Sequence, residues 1–399
     1  MDNTTRRTSL IEKIQGLRTS SVIVYFTGDR LPFPAQIAED AVLPIYRHLL
    51  ALRASKRATK GIDLFLYTRG GDVSVPWRII SMLREYCDKL SVLIPYKAHS
   101  AGTMIAMGAD EICMGPKAEL GPIDPTLSRR TSGAGTVAPT EISVEDVSSY
   151  ISFMQERARI TDQSALAQVM CKLAEHVTPL ALGSVNRQYS HIRLVARKLL
   201  TARNLRVEEN KIAGIIEALT EKMYSHGHAI GRKEAEELGL PVVRPDATLE
   251  SAMWELYAEY EDALQLNATL DGDDILSQHE NEEDVSVGTL PLAVIESSLR
   301  SDIFEATAIL RRRRQVPVNP QINVNLNVGL PPTVDMGALP QQVQQVLQQM
   351  INQLGVTIQQ MVQREIVRQS PMVGYEWKAF GGKWKTQVRT EEHTDANQS

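Results

Sequence analysis

The chain has 399 residues, 43% hydrophobic and 23% charged, and a formal net charge of −5. This is an ordinary globular composition, long enough for one large or two ordinary domains, and its weak negative charge excludes an electrostatic case for nucleic-acid binding. No run approaches the roughly 18 apolar residues of a membrane span, and the segment Met1 to Arg7 lacks the apolar core of a secretory signal. Cys87, Cys113 and Cys171 are odd in number, far apart and without zinc spacing, so a reducing, cytoplasmic setting and no metal are expected.

In chain order, the pattern predicts a helical lead-in over residues 1–20 and a β-branched strand from Ser21 to Phe26. A loop through Gly28 and Pro32 and a helix from Ala35 to Ala58 come next. Three short apolar strands are predicted at Ile62–Tyr67, Ser91–Pro95 and Glu111–Gly115, separated by helices at Val75–Tyr86 and Ala101–Met107. Short strands alternating with helices argue for a parallel sheet in an α/β layout. The Ser/Gly/Thr-rich stretch at about 129–143 has loop composition and is placed to act as a lid.

From Val144 to Leu219 the pattern is mostly helical, and Ala247–Leu264 is a further helix. Residues 266–289 are acidic and poor in apolar side chains, and are expected to form an exposed linker. Residues 290–399 are then expected as a C-terminal extension. It would hold a helix over Leu290–Leu310 that ends in Arg311–Arg314, a period-2 strand at Ile322–Val328 and an amphipathic Gln-rich helix at Gln341–Gln369. The arginine cluster reads as a solvated helix end, or as a contact for an anionic partner.

Two segments carry the chemistry. The strand Ile62–Tyr67 runs into Arg69-Gly70-Gly71-Asp72, and the strand Ser91–Pro95 leads through Lys97-Ala98-His99 to Ser100 at the start of a small-residue helix. Glycines there allow φ > 0 and close approach, so backbone N–H groups can face a ligand. A serine at a helix start lies beside unpaired N–H donors. A nucleophile and an oxyanion hole are what acyl transfer needs most, whereas the bland role for Ser100 is that of a helix N-cap.

Tyr67-Thr68-Arg69-Gly70-Gly71-Asp72, Ala98-His99-Ser100-Ala101-Gly102-Thr103-Met104-Ile105-Ala106, Gly108-Ala109-Asp110-Glu111-Ile112 and Leu120-Gly121-Pro122-Ile123-Asp124-Pro125 together resemble the serine dehydrogenase proteinase family. That family belongs to the Clp/crotonase superfamily, with Clp-type proteases and signal peptide peptidase A. The resemblance spans roughly residues 20–245. It implies a Clp/crotonase-like peptidase domain over residues 1–265, Ser100 as nucleophile, and the N–H groups of Gly71 and Ala101 as oxyanion donors.

Clp-type proteases carry a histidine after the serine and an aspartate before a final Glu-Ala helix. Here Asp124 stands at the histidine's place, and Ser225-His226-Gly227-His228 near the aspartate's. The resemblance therefore implies an exchanged Ser100–His226–Asp124 constellation, since triads are defined by geometry and not by chain order. His228 is a substitute base, and a serine–lysine dyad through Lys97, Lys117 or Lys222 stays open. His99, adjacent to the serine, reads as packing or gating.

The resemblance also implies a peptide or unfolded-protein substrate, a homo-oligomer, and a separate ATPase if unfolding is needed, as no Walker motif occurs. No Gly-x-Gly-x-x-Gly turn occurs either, so no cofactor is expected. A crotonase-like acyl-CoA enzyme and a non-catalytic peptide-binding scaffold are the competing functions.

Overall fold

A computed structural model describes residues 3–55, 60–123, 126–127, 142–143, 147, 150–177, 179–204, 206–221, 227–316 and 340–388. The fold is α/β, as the alternation predicts. The chain divides into two units, Met1–Thr269 with Leu290–Ala306 and Gly382–Ser399, and Leu270–Thr289 with Thr307–Gly381.

The first unit opens with α1 (Asn3–Arg18), β1 (Ser21–Thr27), α2 (Val42–Ala54), β2 (Gly61–Tyr67), α3 (Val75–Arg84), β3 (Lys89–Ile94) and β4 (Lys97–Ala98). It continues through α4 (Ala101–Met107), β5 (Glu111–Met114), β6 (Glu119–Leu120) and the two-residue pair β7 (Thr126–Leu127) and β8 (Ile142–Ser143). Helices α5 (Gln163–His176), α6 (Pro179–Thr201) and α7 (Glu209–Glu221) follow, then β9 (Ile230–Gly231), α8 (Arg232–Glu237), β10 (Val242–Val243) and α9 (Ala247–Ala263). β10, β5, β3, β2 and β1 lie side by side in that order, all parallel.

Every residue of β1 is buried, as expected for a central strand covered on both faces. On one face Ile23, Leu64 and Val92 pack with Ile45, Ile80, Ile105, Leu199 and Ile215 from five helices. On the other, Val24, Phe26 and Phe65 meet Ile11 and Ile14 of α1 and Met253, Leu256 and Tyr260 of α9.

The sequence expectation fails at two places. Residues 35–38 are not helical: Ile37 bridges Gly71, a 3₁₀ turn spans Glu39–Ala41, and α2 begins only at Val42. The helix expected over Leu290–Leu310 is instead two strands, β11 (Asp284–Ser297) and β12 (Arg300–Arg314). β11 pairs antiparallel with β1, Val24 opposite Glu296. Alternate β12 residues Ala306, Ala308 and Leu310 are buried, and that period-2 signal was masked by helix-favouring Ala and Glu.

The Arg311–Arg314 cluster thus ends a strand, where Arg311 pairs with Asp284 (2.6 Å) and Arg314 with Glu283 (2.9 Å). Within the acidic stretch stands α10 (Gly272–Gln278), whose N-cap Asp271 accepts from the N–H of Asp273 and Asp274. In the second unit Leu276, Val285 and Leu310 form a small core with Tyr375 and Trp377.

The Gln-rich helix, α11 (Gln341–Gln369), has the bounds the sequence predicts and no buried residue. It is followed by β13 (Met372–Val388), which periodicity did not reveal. The expected strand Ile322–Val328 and the loop Arg129–Pro139 lie outside the described residues. Among the described residues no helix is long and apolar enough to cross a membrane.

Candidate active site

Parallel strands end together, so the loops beyond β1, β2 and β4 converge at the carboxyl edge of the sheet, where α/β folds place ligands. The chain after β2 is held on both sides. Thr68 bridges Ala98, with Thr68 N donating to Lys97 O (2.9 Å) and His99 N to Thr68 O (3.1 Å). On the opposite side Ile37 N donates to Gly70 O and Asp72 N to Ile37 O, each at 2.8 Å. In such a parallel bridge the N–H and C=O of the bridged residue itself, Gly71, point away from Ile37 and toward the side of β4. Gly70 N is already used, donating to Thr68 Oγ1 (3.0 Å).

Both glycines are obligatory for the same reason. Gly70 has φ +110° and Gly71 φ +151°, a region disfavoured for side chains. A Cβ on Gly70 would lie 2.7 Å from Ser100 Cβ and 3.2 Å from its Oγ, and one on Gly71 would overlap the Ile37 peptide. The glycine pair lets the strand end lie directly against the serine.

Ser100 itself has φ +49° and ψ −113°, and it makes no side-chain cap hydrogen bond. A strained non-glycine backbone of this kind costs on the order of 1–3 kcal/mol and persists only where the surroundings hold it. The N-cap role is therefore not what keeps a serine here. Half-buried Ser100 presents a hydroxyl with no hydrogen-bond partner among the described residues, next to the N–H of Ala101, the first residue of α4, a donor with no intrahelical partner.

The surroundings that hold this turn are visible. All residues of α4 are buried, and a Cβ on Gly102 would overlap the Thr68 methyl, so the helix sits flush on the β2 end. Thr103 Oγ1 lies 2.8 Å from the carbonyls of Ala98 and Gly121 and accepts from Gly121 N (3.0 Å), tying the serine turn to the segment after β6. At the far end of α4, Arg203 Nε donates to Met107 O (2.7 Å) and an Arg84 Nη to Gly108 O (2.8 Å), cations where the helix end is negative. Burial, against the pull of Asp110, lowers the Arg203 pKa to about 10.

The sequence-derived base candidates fare differently. Asp124, His226 and Lys222 lie outside the described residues. His228 is directed to α8, its Nε2 2.8 Å from Glu234. His99 packs on Gly121, with Nε2 3.2 Å from Glu119, and desolvation lowers its pKa against the pull of that carboxylate. Lys97 Nζ lies 3.5 Å from Asp29 and 4.4 Å from the centre of the Tyr96 ring, and Lys117 Nζ lies 3.9 Å from Glu119.

Two contributors escaped sequence reasoning. Ile37 orients Gly71 through its backbone, which no side-chain pattern signals. Asp29, just past β1, accepts from Tyr67 Oη (2.9 Å) and Arg69 Nε (2.6 Å), and so anchors the residue before the glycine pair.

A parallel α/β core with a serine on a strained turn between strand and helix, faced by a Gly-Gly strand end, defines the Clp-type serine peptidase architecture. The chain belongs to the ClpP-like SDH-type serine proteinase family, whose profile matches residues 3–271.

It is 26% identical over 239 residues to an uncharacterized protein of Methanocaldococcus jannaschii, covering 57% of this chain and 71% of that one. A second uncharacterized protein of that organism is 36% identical over 95 residues, 22% of this chain and 32% of its own. Among solved structures, an alanine mutant of the 1510-N membrane-bound stomatin-specific protease is 17% identical, covering 54% of this chain and 79% of that one at a TM-score of 0.34. ClpP1 from Listeria monocytogenes is 13% identical, covering 59% and 98% at a TM-score of 0.31.

Proposed function

We propose that this protein is a serine peptidase that cleaves peptides or unfolded segments through an acyl-enzyme at Ser100. The observation that carries this reading is the strained backbone of Ser100, whose hydroxyl caps nothing. In the reaction Ser100 Oγ attacks the scissile carbonyl while a base takes its proton. The carbonyl oxygen becomes an oxyanion between the N–H groups of Gly71 and Ala101. Collapse of this intermediate breaks the C–N bond, the base returns the proton to the leaving amine, and water then releases the acyl group by the same route.

We assign the base to His226 and its orienting carboxylate to Asp124. The support is topological. β6 pairs with β4 on one edge and antiparallel with β9 on the other, Leu120 opposite Ile230. In sequence, Ser100 comes two residues after β4, Asp124 four after β6 and His226 four before β9, the three strands of one small sheet. Imidazole would take the serine proton, and the carboxylate would fix its tautomer and stabilise the imidazolium.

The test is digestion of an unstructured protein and a peptide library, with products read by mass spectrometry for wild type and Ser100→Ala. New termini generated only by the wild type support the reading. Equal products from both proteins, or none from either, contradict it.

A further inference from the structure

We propose that the cleft beside the glycine pair is a subsite for a carboxylate of the bound peptide, held by Arg69 and Lys97. This deepens the peptidase reading and rests on it.

The cleft has a volume of about 430 Å³ and stands at the carboxyl ends of β1, β2 and β3, walled by Tyr67, Tyr96, Tyr257 and the loop after β1. Its one deep carboxylate, Asp29, already accepts from Tyr67, from Arg69 Nε and, at 3.5 Å, from Lys97 Nζ. Burial pushes the Asp29 carboxyl up, but these donors outweigh it and hold the group below its usual range. Glu261 accepts from Tyr257 Oη (2.9 Å). Of the two carboxylates that line the cleft, Asp29 is thus engaged by three donors and Glu261 by one.

Spare donors remain on both cations. Lys97 is only 15% exposed, and beyond the long contact to Asp29 and the Tyr96 ring its three N–H donors have no further partner among the described residues. A largely buried ammonium with spare donors favours an anionic acceptor. Arg69 is 60% exposed and among the described residues commits only Nε to Asp29, so the rest of its guanidinium fork stays available to a carboxylate. Lys117 Nζ, 4.8 Å from the Tyr96 ring centre, adds positive charge behind that wall.

The location selects the ligand class. Arg69 is covalently next to Gly70, where an added Cβ would lie 2.7 Å from Ser100 Cβ, and Lys97 precedes Ser100 by three residues. Adjacent Cα atoms are about 3.8 Å apart, so a peptide lying across Ser100 would pass the chain positions that carry both donors. The anion is therefore the substrate's own, either its C-terminal carboxylate or an acidic side chain near the scissile bond.

The experiment uses peptide pairs that differ only in Glu against Gln near the cleaved bond, or in a C-terminal acid against amide. kcat/KM is measured with the full-length protein, and affinity is measured by calorimetry with Ser100→Ala. A charge-assisted contact of this kind corresponds to about tenfold in favour of the carboxylate. The Glu/Gln pair and the acid/amide pair report the side chain and the terminus separately. In Arg69→Gln and Lys97→Met the preference should fall toward one, with folding checked by thermal melting. A wild type that does not discriminate within either pair overturns the subsite, whatever the variants do. If nothing is hydrolysed but Ser100→Ala still binds the carboxylate form more tightly, the subsite stands and the peptidase reading fails.

Discussion

The Cα of Gly70 lies so close to Ser100 that any side chain at position 70 would enter the space of the serine Cβ and Oγ. The strand end that would orient the oxyanion donor and the residue that would supply the nucleophile are thus one packing unit. Strain at either should be felt at the other.

Replacing Ser100 separates catalysis from stability. Ser100→Ala deletes a hydroxyl that makes no cap bond, so it should cost well under the ~1 kcal/mol of a lost N-cap while removing nearly all turnover. Ser100→Gly should be equally inactive yet more stable than Ser100→Ala by about 1 kcal/mol, because glycine tolerates φ +49°. Urea midpoints of the two variants check this, and an Ala variant as stable as the Gly variant would deny the strain.

Gly71→Ala should suffice to damage the oxyanion hole. Its Cβ would collide with the Ile37 peptide, displacing the N–H from its aim. Loss of one such donor costs on the order of 10²–10³ in kcat. Normal kcat in a folded Gly71→Ala protein would put the donor elsewhere.

If His226 and Asp124 act as one unit with Ser100, His226→Ala and Asp124→Asn should each lower kcat strongly, and the double variant should be little worse than either. Full activity in His226→Ala combined with inactivity in Lys222→Ala would point to a serine–lysine dyad.

A buried polar chain around His48 predicts the acid response. His48 Nδ1 lies 2.9 Å from Ser297 Oγ and Nε2 3.1 Å from Asp302, which also accepts from Arg300 and Thr386. Desolvation lowers the His48 pKa, opposed by Asp302 and Glu296 and assisted by Arg300. The unfolded chain therefore takes up this proton first, and stability present above the ordinary 6.5 is lost as pH falls below it. Burial pushes the Asp302 carboxyl up, but bonds from His48, Arg300 and Thr386 pull it well below its usual 3.8. Its contribution is present above that value and lost as pH falls through the lowered one. Urea unfolding between pH 8 and 5 should show declining stability with a flatter slope in His48→Gln, and equal slopes would contradict the assignment.

The strand and helix order of the core was legible because each element there is a continuous apolar run bounded by Gly, Pro or charged residues, as in Ile62–Tyr67 before Arg69-Gly70-Gly71. Ser100, Gly71 and Ala101 were reached through the family resemblance that the two glycine-rich segments carry, and spacing alone does not assign their roles. β11 and β12 were not legible, because Leu290–Leu310 carries four Leu and three Ala beside Glu296 and Glu305, whose local preference is helical. Only the partner strand β1, nearly 270 residues away in sequence, makes Val294 and Ile295 strand residues. The role of Ile37 was equally invisible, since it acts through its backbone alone. One consequence is that a chain ending after Asp284 would lose β11 and expose the edge of β1, so it should fail to fold.

The most direct measurement is reaction of the full-length protein with a fluorophosphonate, followed by mass mapping of the adduct. The account predicts a single stoichiometric adduct on Ser100, absent from Ser100→Ala and slowed in Gly71→Ala. An adduct on another serine, or none on a folded wild-type protein, would contradict it.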